Sequence, residues 1–514
     1  MNRMKRTWVS LFLVVMLIVL AGCQAVNGLD VSKMFANSLN IQSAQGTQTL
    51  TLELEMNPSV TPMTDEQLLL ELFSKVSVRI SEFSMQDWTH ASLKGVFEYT
   101  QGQIPFQMSM SDMETVIALE GAKKPIVMHN QFAGMETMKE TITPEMERQF
   151  NEFYKKTIEF MPAFYSYLIG NAPNPANITA GSNKFRIQNQ NEGVNGKKVH
   201  IEIKGSEWIG LAKGLLTNLV ADEKGMKDML GQLYDVYIPL VKQYMQEKGP
   251  DGDSSMDMMS LYLNNKSLAV ETAFAFLNSH LKQMLDESSS AMDMPKLLTD
   301  DAFSLKMDVY TDSELTPRKT DTEIVIASPT ENSAVKSIKL TSASEWWNVN
   351  KPVTANKIDT SAGSFVFAPD KPARIVSILD PNSQLYKLLK KDLKITRKDI
   401  RMSMDSGSGD STAPYNLDGT VMVPIRYVVE QLDADVAWEP STQKITVTDP
   451  LNGIAVNLNV GSQQASVNGM IKPLEKAAEI RNESTYVPLR FIAESMGAKV
   501  GWDQESQTVT ISRD

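Results

Sequence analysis

The octapeptide Val-Pro-Ile-Arg-Tyr-Val-Val-Glu at 423–430 returns 64 residues later, at 487–494, as Val-Pro-Leu-Arg-Phe-Ile-Ala-Glu. The same offset carries Val436 onto Val500 and Trp438 onto Trp502, so the register never slips. Pro424 and Pro488 stand where a helix can begin, because proline supplies the helical φ and its missing N–H has no partner in the first turn. Ile425, Val428, Val429 and Leu432 follow at helical spacing, as do Leu489, Ile492, Ala493 and Met496, giving each copy one apolar stripe. Gly497 ends the second helix. Alternation then takes over, Val436/Trp438 before Ile445/Val447 and Val500/Trp502 before Val509/Ile511, so each copy reads helix-strand-strand. Between the copies, Ile454, Val456, Leu458 and Val460 alternate ahead of Gly461, and Asn468-Gly469 is a hairpin signal. The last hundred residues are therefore expected to form one compact α+β domain built from two αββ repeats.

These paired segments resemble a known family, the small domain named after the amino-terminal stalk of copper amine oxidases, which recurs in exported proteins of Gram-positive bacteria. The resemblance covers residues 415–514 and implies an accessory envelope domain with no catalytic residues to carry over. It does not imply copper chemistry. An amine oxidase needs three imidazole ligands and a modified tyrosine, whereas none of the four histidines, His90, His129, His200 and His280, lies in the matching region.

At the other end, Arg3, Lys5 and Arg6 precede an apolar run at 9–20, which has the length of a secretory signal and falls short of the ~20 residues needed to span a bilayer. The run closes on Leu20-Ala21-Gly22-Cys23, which resembles the lipobox of bacterial lipoproteins. That resemblance implies a signal peptide at 1–22, lipid on the Cys23 thiol, a lipidated tether at 23–29, and a location on the outer face of the cytoplasmic membrane. Cys23 is the only cysteine, so the chain has no disulfide framework and must hold together by core burial. A net charge of −12 argues against nucleic acid as a partner and against polybasic attachment to anionic lipid, since both need clustered Lys and Arg. No later stretch is apolar for long enough to cross a membrane, which leaves the lipid as the membrane attachment.

The large region at 30–350 opens with strand signals (Leu50/Leu52/Leu54, Val76/Val78/Ile80, 93–99, 106–110, 116–119), continues through helical segments at 145–168, 211–246 and 268–285, and ends in strands at 303–310, 320–326 and 333–340. An antiparallel sheet with helices against its concave face is expected. This order resembles lipid-carrier lipoproteins, which implies a container for an apolar ligand. A connecting segment at 351–402 holds a strand at 364–368 and a helix at 385–394, and the Gly/Ser-rich stretch at 403–414 has the composition of a linker.

Several residues invite a chemical reading. The chain has 30 methionines, with Met-x-Met at Met108/Met110, Met256/Met258, Met292/Met294 and Met402/Met404. Such pairs can offer two thioethers to Cu(I), but adaptable apolar filling of a core or cavity is the reading favoured here, and no metal or other cofactor is assigned. Arg426/Glu430 and Arg490/Glu494 are read as helix-surface pairs. Trp438 and Trp502 share a repeat position and are expected to be packed. Of the adjacent Trp346 and Trp347, one must face away from the core, making these two the candidate ligand-binding residues. Ser333 and Lys336 match Ser-x-x-Lys inside a strand-like run without a companion motif, and Asp251-Gly252-Asp253 reads as a turn. The sequence thus points to a non-enzymatic, membrane-anchored extracytoplasmic lipoprotein whose carboxy-terminal module binds cell-wall polymer or spaces the protein within the envelope. The alternative is a carrier of lipid or another apolar ligand in the large domain.

Overall fold

The computed structural model describes residues 25–60, 64–112, 114–129, 144–187, 193–248, 260–290, 299–328, 330, 333–404, 413–481 and 483–514. The chain divides into two compact units, with boundaries after Thr115, Met128 and Ile358. The architecture is α+β: a large, mostly antiparallel sheet with helices, and a small carboxy-terminal domain of several short sheets.

In the first unit, β1 (Ala44–Met56), β2 (Lys75–Met85), β3 (Ala91–Tyr99) and β4 (Gly102–Met110) form a meander. Two short strands, β5 (Glu114–Leu119) and β6 (Ile126–His129), fall largely in the second unit. After the helices the chain adds β7 (Asn177–Phe185), β8 (Val194–Lys204), β9 (Phe303–Thr311), β10 (Pro317–Ala327) and β11 (Val335–Trp347). The resulting order is β4-β3-β2-β1-β11-β10-β9-β8-β7, so the first strand of the unit pairs with its last. The helices are α1 (Val31–Leu39), α2 (Thr64–Leu72), α3 (Pro144–Asn171), α4 (Glu207–Ala221), α5 (Glu223–Lys248) and α6 (Lys266–Ser290). Residues 211–246, which read as one helix in sequence, break at Asp222, where the carboxylate accepts the Gly225 N–H at 2.9 Å and caps α5.

Alternation gives this sheet one apolar face. A single register row runs Val76, Leu52, Leu340, Ile324, Leu305, Ile203 across six strands. At the β8–β9 end the row is fully buried beneath Trp208, Leu211, Leu215 and Leu219 of α4. Each such aliphatic side chain contributes roughly 1.5–3 kcal/mol through burial. Toward β1 and β2 the cover thins: Val76, Leu52 and Leu340 are half-buried, and neighbouring Leu50 and Ile338 are exposed. The opposite face is polar, with Asp308 bound to His200 at 2.7 Å and Lys198 at 3.0 Å, and Glu323 to Lys339 at 2.7 Å.

In the second unit β6 pairs in parallel with β12 (Phe365–Val366), a strand shorter than the 364–368 expected. A 3-10 turn at Pro372–Ile378 and a short helix from Gln384–Tyr386 into Lys387–Asp392 follow. The repeats then appear in order: β13 (Lys398–Ser403), β14 (Tyr415–Leu417), β15 (Thr420–Pro424), α7 (Ile425–Gln431), β16 (Asp435–Glu439), β17 (Lys444–Asp449), β18 (Ile454–Asn459), β19 (Gln464–Val467), β20 (Met470–Pro473), β21 (Glu479–Arg481), β22 (Ser484–Pro488), α8 (Leu489–Ser495), β23 (Lys499–Asp503) and β24 (Thr508–Arg513). Pro424 and Pro488 stand immediately before α7 and α8, and the apolar stripes of both helices are buried in one shared core. Gly497 follows α8 in the left-handed region at φ 74°, and Asp433 takes the equivalent place at φ 59°.

The copies are related by a local two-fold. β15 and β22 pair antiparallel with Val423 opposite Val487, and these are repeat equivalents. Two more equivalent pairs meet, Tyr415 with Glu479 and Asp449 with Arg513. Identical ionised residues at positions that meet would repel each other, and here the two copies carry complementary groups, a hydroxyl donor with a carboxylate and a guanidinium with a carboxylate.

Residues 398–403, which the sequence divides between the connecting segment (to 402) and the start of the linker (Ser403), belong to this domain as β13. Beside β24 they hold the place that β18 holds beside β17: Ile400 and Met402 face Ile511 and Val509 as Val456 and Leu458 face Val447 and Ile445. All eight side chains enter the domain core. The preceding 3-10 turn is tied to the same domain, since Arg374 donates to the Asp433 carbonyl at 2.9 Å and to the Asp435 carboxylate at 2.7 Å.

Candidate functional site

Trp438 and Trp502 are not packed as expected: they are 37% and 51% exposed. Their cross-strand partners Ile445 and Val509 are buried, so the period-two reading of which side they occupy is right. What that reading lacks is the position of the strand. β16 is an edge strand of the sheet β16-β17-β18-β19-β20, and β23 is an edge strand of β13-β24-β23, so among the described residues no further strand flanks either indole.

The turns after both tryptophans are built alike. Gln443 and Gln507, equivalent in the repeat, take left-handed φ values of 51° and 46°. Thr442 donates to the Glu439 carboxylate at 2.8 Å, and Ser506 donates to the Asp503 carboxylate at 2.8 Å. The Ser506 hydroxyl, followed by the N–H groups of Ser506 and Glu505, holds the Asp503 carboxyl below its ordinary range. Each exposed indole thus lies near the end of an edge strand that runs into a hydrogen-bonded hairpin turn. An exposed flat ring with one polar N–H suits a ligand that presents an apolar C–H face together with hydrogen-bonding groups.

Trp346 and Trp347, the sequence candidates, lie on the last two positions of β11 and are both half-buried. Trp346 packs over Gly46, where an added Cβ would come within 2.7 Å of the ring, and meets Phe83 edge-on at 5.4 Å. Its carbonyl accepts from Arg318 at 3.0 Å. Trp347 lies opposite Gln45 on β1.

Other candidates divide clearly. Met402 and Met404 fill the carboxy-terminal core, while Met108 and Met110 lie half-buried on one face of β4. Cys23, Met256/Met258, Met292/Met294 and Asp251–Asp253 lie outside the described residues. Arg426 reaches Glu430 at 3.3 Å and Arg490 reaches Glu494 at 4.0 Å, all four side chains well exposed, as expected of surface pairs. The Lys336 ammonium binds Glu55 at 2.7 Å, and the Ser333 hydroxyl accepts the Val335 N–H, so these two are engaged separately. His90 meets Asp87 at 2.9 Å. Among the described residues, no group of three or more His, Cys, Asp or Glu is placed to hold a metal ion.

Near the two-fold, Arg513 donates to Asp449 at 2.7 Å and to the Leu432 carbonyl. Tyr415 donates to Glu479, and burial, reinforced by that carboxylate, pushes its hydroxyl up to about 12. The Arg481 guanidinium stacks 4.3 Å from the Tyr415 ring centre. These buried and stacked groups bind one another, leaving the edge-strand indoles as the domain's repeated exposed aromatic feature.

The fold therefore defines a two-part protein, a half-covered sheet-and-helix unit followed by a pseudo-two-fold domain. The carboxy-terminal part matches the family model of the copper amine oxidase N-terminal domain over residues 407–511. That is the non-catalytic domain of those enzymes, which fits an envelope module without chemistry of its own. No curated protein and no solved structure matches the chain.

Proposed function

We propose that this protein is an extracytoplasmic lipoprotein, held on the outer face of the membrane by lipid on Cys23, whose carboxy-terminal domain binds the glycan of the cell wall. The observation that carries the binding role is the repeated exposure of Trp438 and Trp502 on edge strands at equivalent positions. Covering about 100 Å² of one indole face is worth ~2.5 kcal/mol at ~25 cal/mol per Å², before the costs of association. Two equivalent platforms on one domain can engage a repeating polymer together, so avidity exceeds the affinity of either. The net charge of −12 favours uncharged sugar faces over anionic polymer as the ligand. The test is retention of the full chain on purified cell-wall material. Trp438→Ala and Trp502→Ala are each expected to weaken retention about tenfold, and the double variant about a hundredfold. Unchanged retention of a folded double variant refutes the assignment.

A second reading, that the large unit carries an apolar ligand, is favoured by the row Val76, Leu52, Leu340, whose apolar face is only half covered beside exposed Leu50 and Ile338. A hydrophobic-surface dye should bind there and be lost in Leu52→Lys. Equal dye binding by that variant removes this reading.

A further inference from the structure

From the length of chain between the lipid site and the folded core, we infer that the large unit sits directly on the lipid headgroups, with the Asn27-Gly28 turn and the β7 edge as its membrane-facing surface. This rests on the proposed lipidation of Cys23. The sequence suggests a tether over residues 23–29, but most of that stretch is part of the fold. Val26 and Leu29 close a two-residue hairpin through paired N–H···O bonds of 2.9 Å each way, with Asn27 and Gly28 at φ 50° and 79°. This is the geometry of a tight Asn-Gly turn. Leu29 and Val31 are buried in the main core, and Asp30 caps α1 by accepting the Lys33 N–H at 2.9 Å. Asn27 donates to the Ala180 carbonyl on β7 at 3.1 Å, and Asn37, on α1, donates to the Glu314 carbonyl at 2.9 Å. The entry segment is thus fixed at both ends.

Only Gln24 and Ala25 remain between Cys23 and the turn. Three residue steps, from Cys23 to Val26, reach at most about 10–11 Å. The headgroup layer on one side of a bilayer is itself roughly 5–8 Å thick. The turn and the strand it is bonded to are therefore held at the headgroup surface. Charge is not what holds this surface: Lys184 on β7 is offset by Glu202, which accepts from Asn177 of β7 at 3.0 Å, and by exposed Asp30, so the short chain to the lipid sets the position. β7 is also the end strand of the sheet, so the backbone groups of its outer edge can hydrogen-bond to headgroups or their water.

The test uses the full lipidated chain in proteoliposomes that contain headgroup-spin-labelled phospholipid. A fluorophore is placed at Thr179→Cys on β7 or at Gln103→Cys on β4, eight strand spacings away, or about 35–40 Å along the sheet. The β7 label should be quenched at least twofold more than the β4 label. Inserting twenty Gly/Ser residues after Gln24, with a root-mean-square span of about 25 Å, should abolish the difference. Equal quenching at both positions, in protein whose amino-terminal peptide carries lipid by mass, overturns the docking inference while leaving the anchor intact. Quenching that survives the insertion overturns the short tether as its cause. An amino-terminal peptide with unmodified Cys23 overturns both the anchor and this inference.

Discussion

Replacing Asp449 with alanine should unfold the carboxy-terminal domain by removing one half of a buried ion pair. The Asp449 side chain is 0% exposed and that of Arg513 3%, so neither charge can turn to water. The carboxylate accepts from Arg513 at 2.7 Å, from the Leu451 N–H at 2.9 Å and from Asn452 at 3.1 Å. Deleting one partner of a buried pair costs about 3–5 kcal/mol, chiefly because the other charge is left uncompensated. The Leu451 N–H, left without that acceptor, reinforces the loss, while the Asn452 amide keeps the Met496 carbonyl at 3.2 Å. At about 4–6 °C per kcal/mol for a domain of this size, the midpoint should fall by roughly 12–30 °C. Hydrogen exchange of the α7 and α8 amides measures this in the intact chain, because it reports the opening of this domain separately. The double variant Asp449→Leu/Arg513→Met should recover most of the loss, since it removes both charges and fills the space with apolar atoms. A single variant that costs under ~1 kcal/mol, or a double variant as unstable as the single, would refute the reasoning.

Ile400→Ala, which lies outside the matched family region, should destabilise the same domain by about 2–4 kcal/mol, because Ile400 is buried against Ile511 in the β13–β24 pairing. Unaltered exchange in α8 would show that β13 is dispensable. The Arg374 guanidinium, with help from Lys371, holds the Asp435 carboxyl below its ordinary range against the opposing effect of partial burial. That stabilisation is complete above the unfolded aspartate value of about 3.9 and fades as pH falls through the lower folded value. Arg374→Ala should therefore flatten the acid limb of a urea-midpoint titration below about pH 4, and an unaltered limb would count against the pairing. Gly46→Ala should cost about 1–3 kcal/mol, because its Cβ would collide with the Glu345 carbonyl and the Trp346 ring. Displacement of that indole would appear as a change in tryptophan emission, and an unchanged spectrum and midpoint would show that the strands can part.

The sequence alone determined the repeat, its αββ order and the two buried helical stripes, because these follow from local periodicity and from proline and glycine geometry. It also determined the bracketing of helices by strands in the large unit. It did not reveal the two-fold: nothing local indicates that Val423 will face Val487, or that Asp449 and Arg513 will meet. That pairing is a long-range choice made by sheet register. Nor did it reveal β13, whose six residues acquire a role only beside β24, or the rigid turn at 26–29, which takes its meaning from Asn27 reaching β7. The exposure of Trp438 and Trp502 shows the limit most plainly. Alternation fixed the side of the strand that each occupies, but whether that side is covered depends on the strand's place in the sheet, and only the tertiary structure put β16 and β23 at the edges.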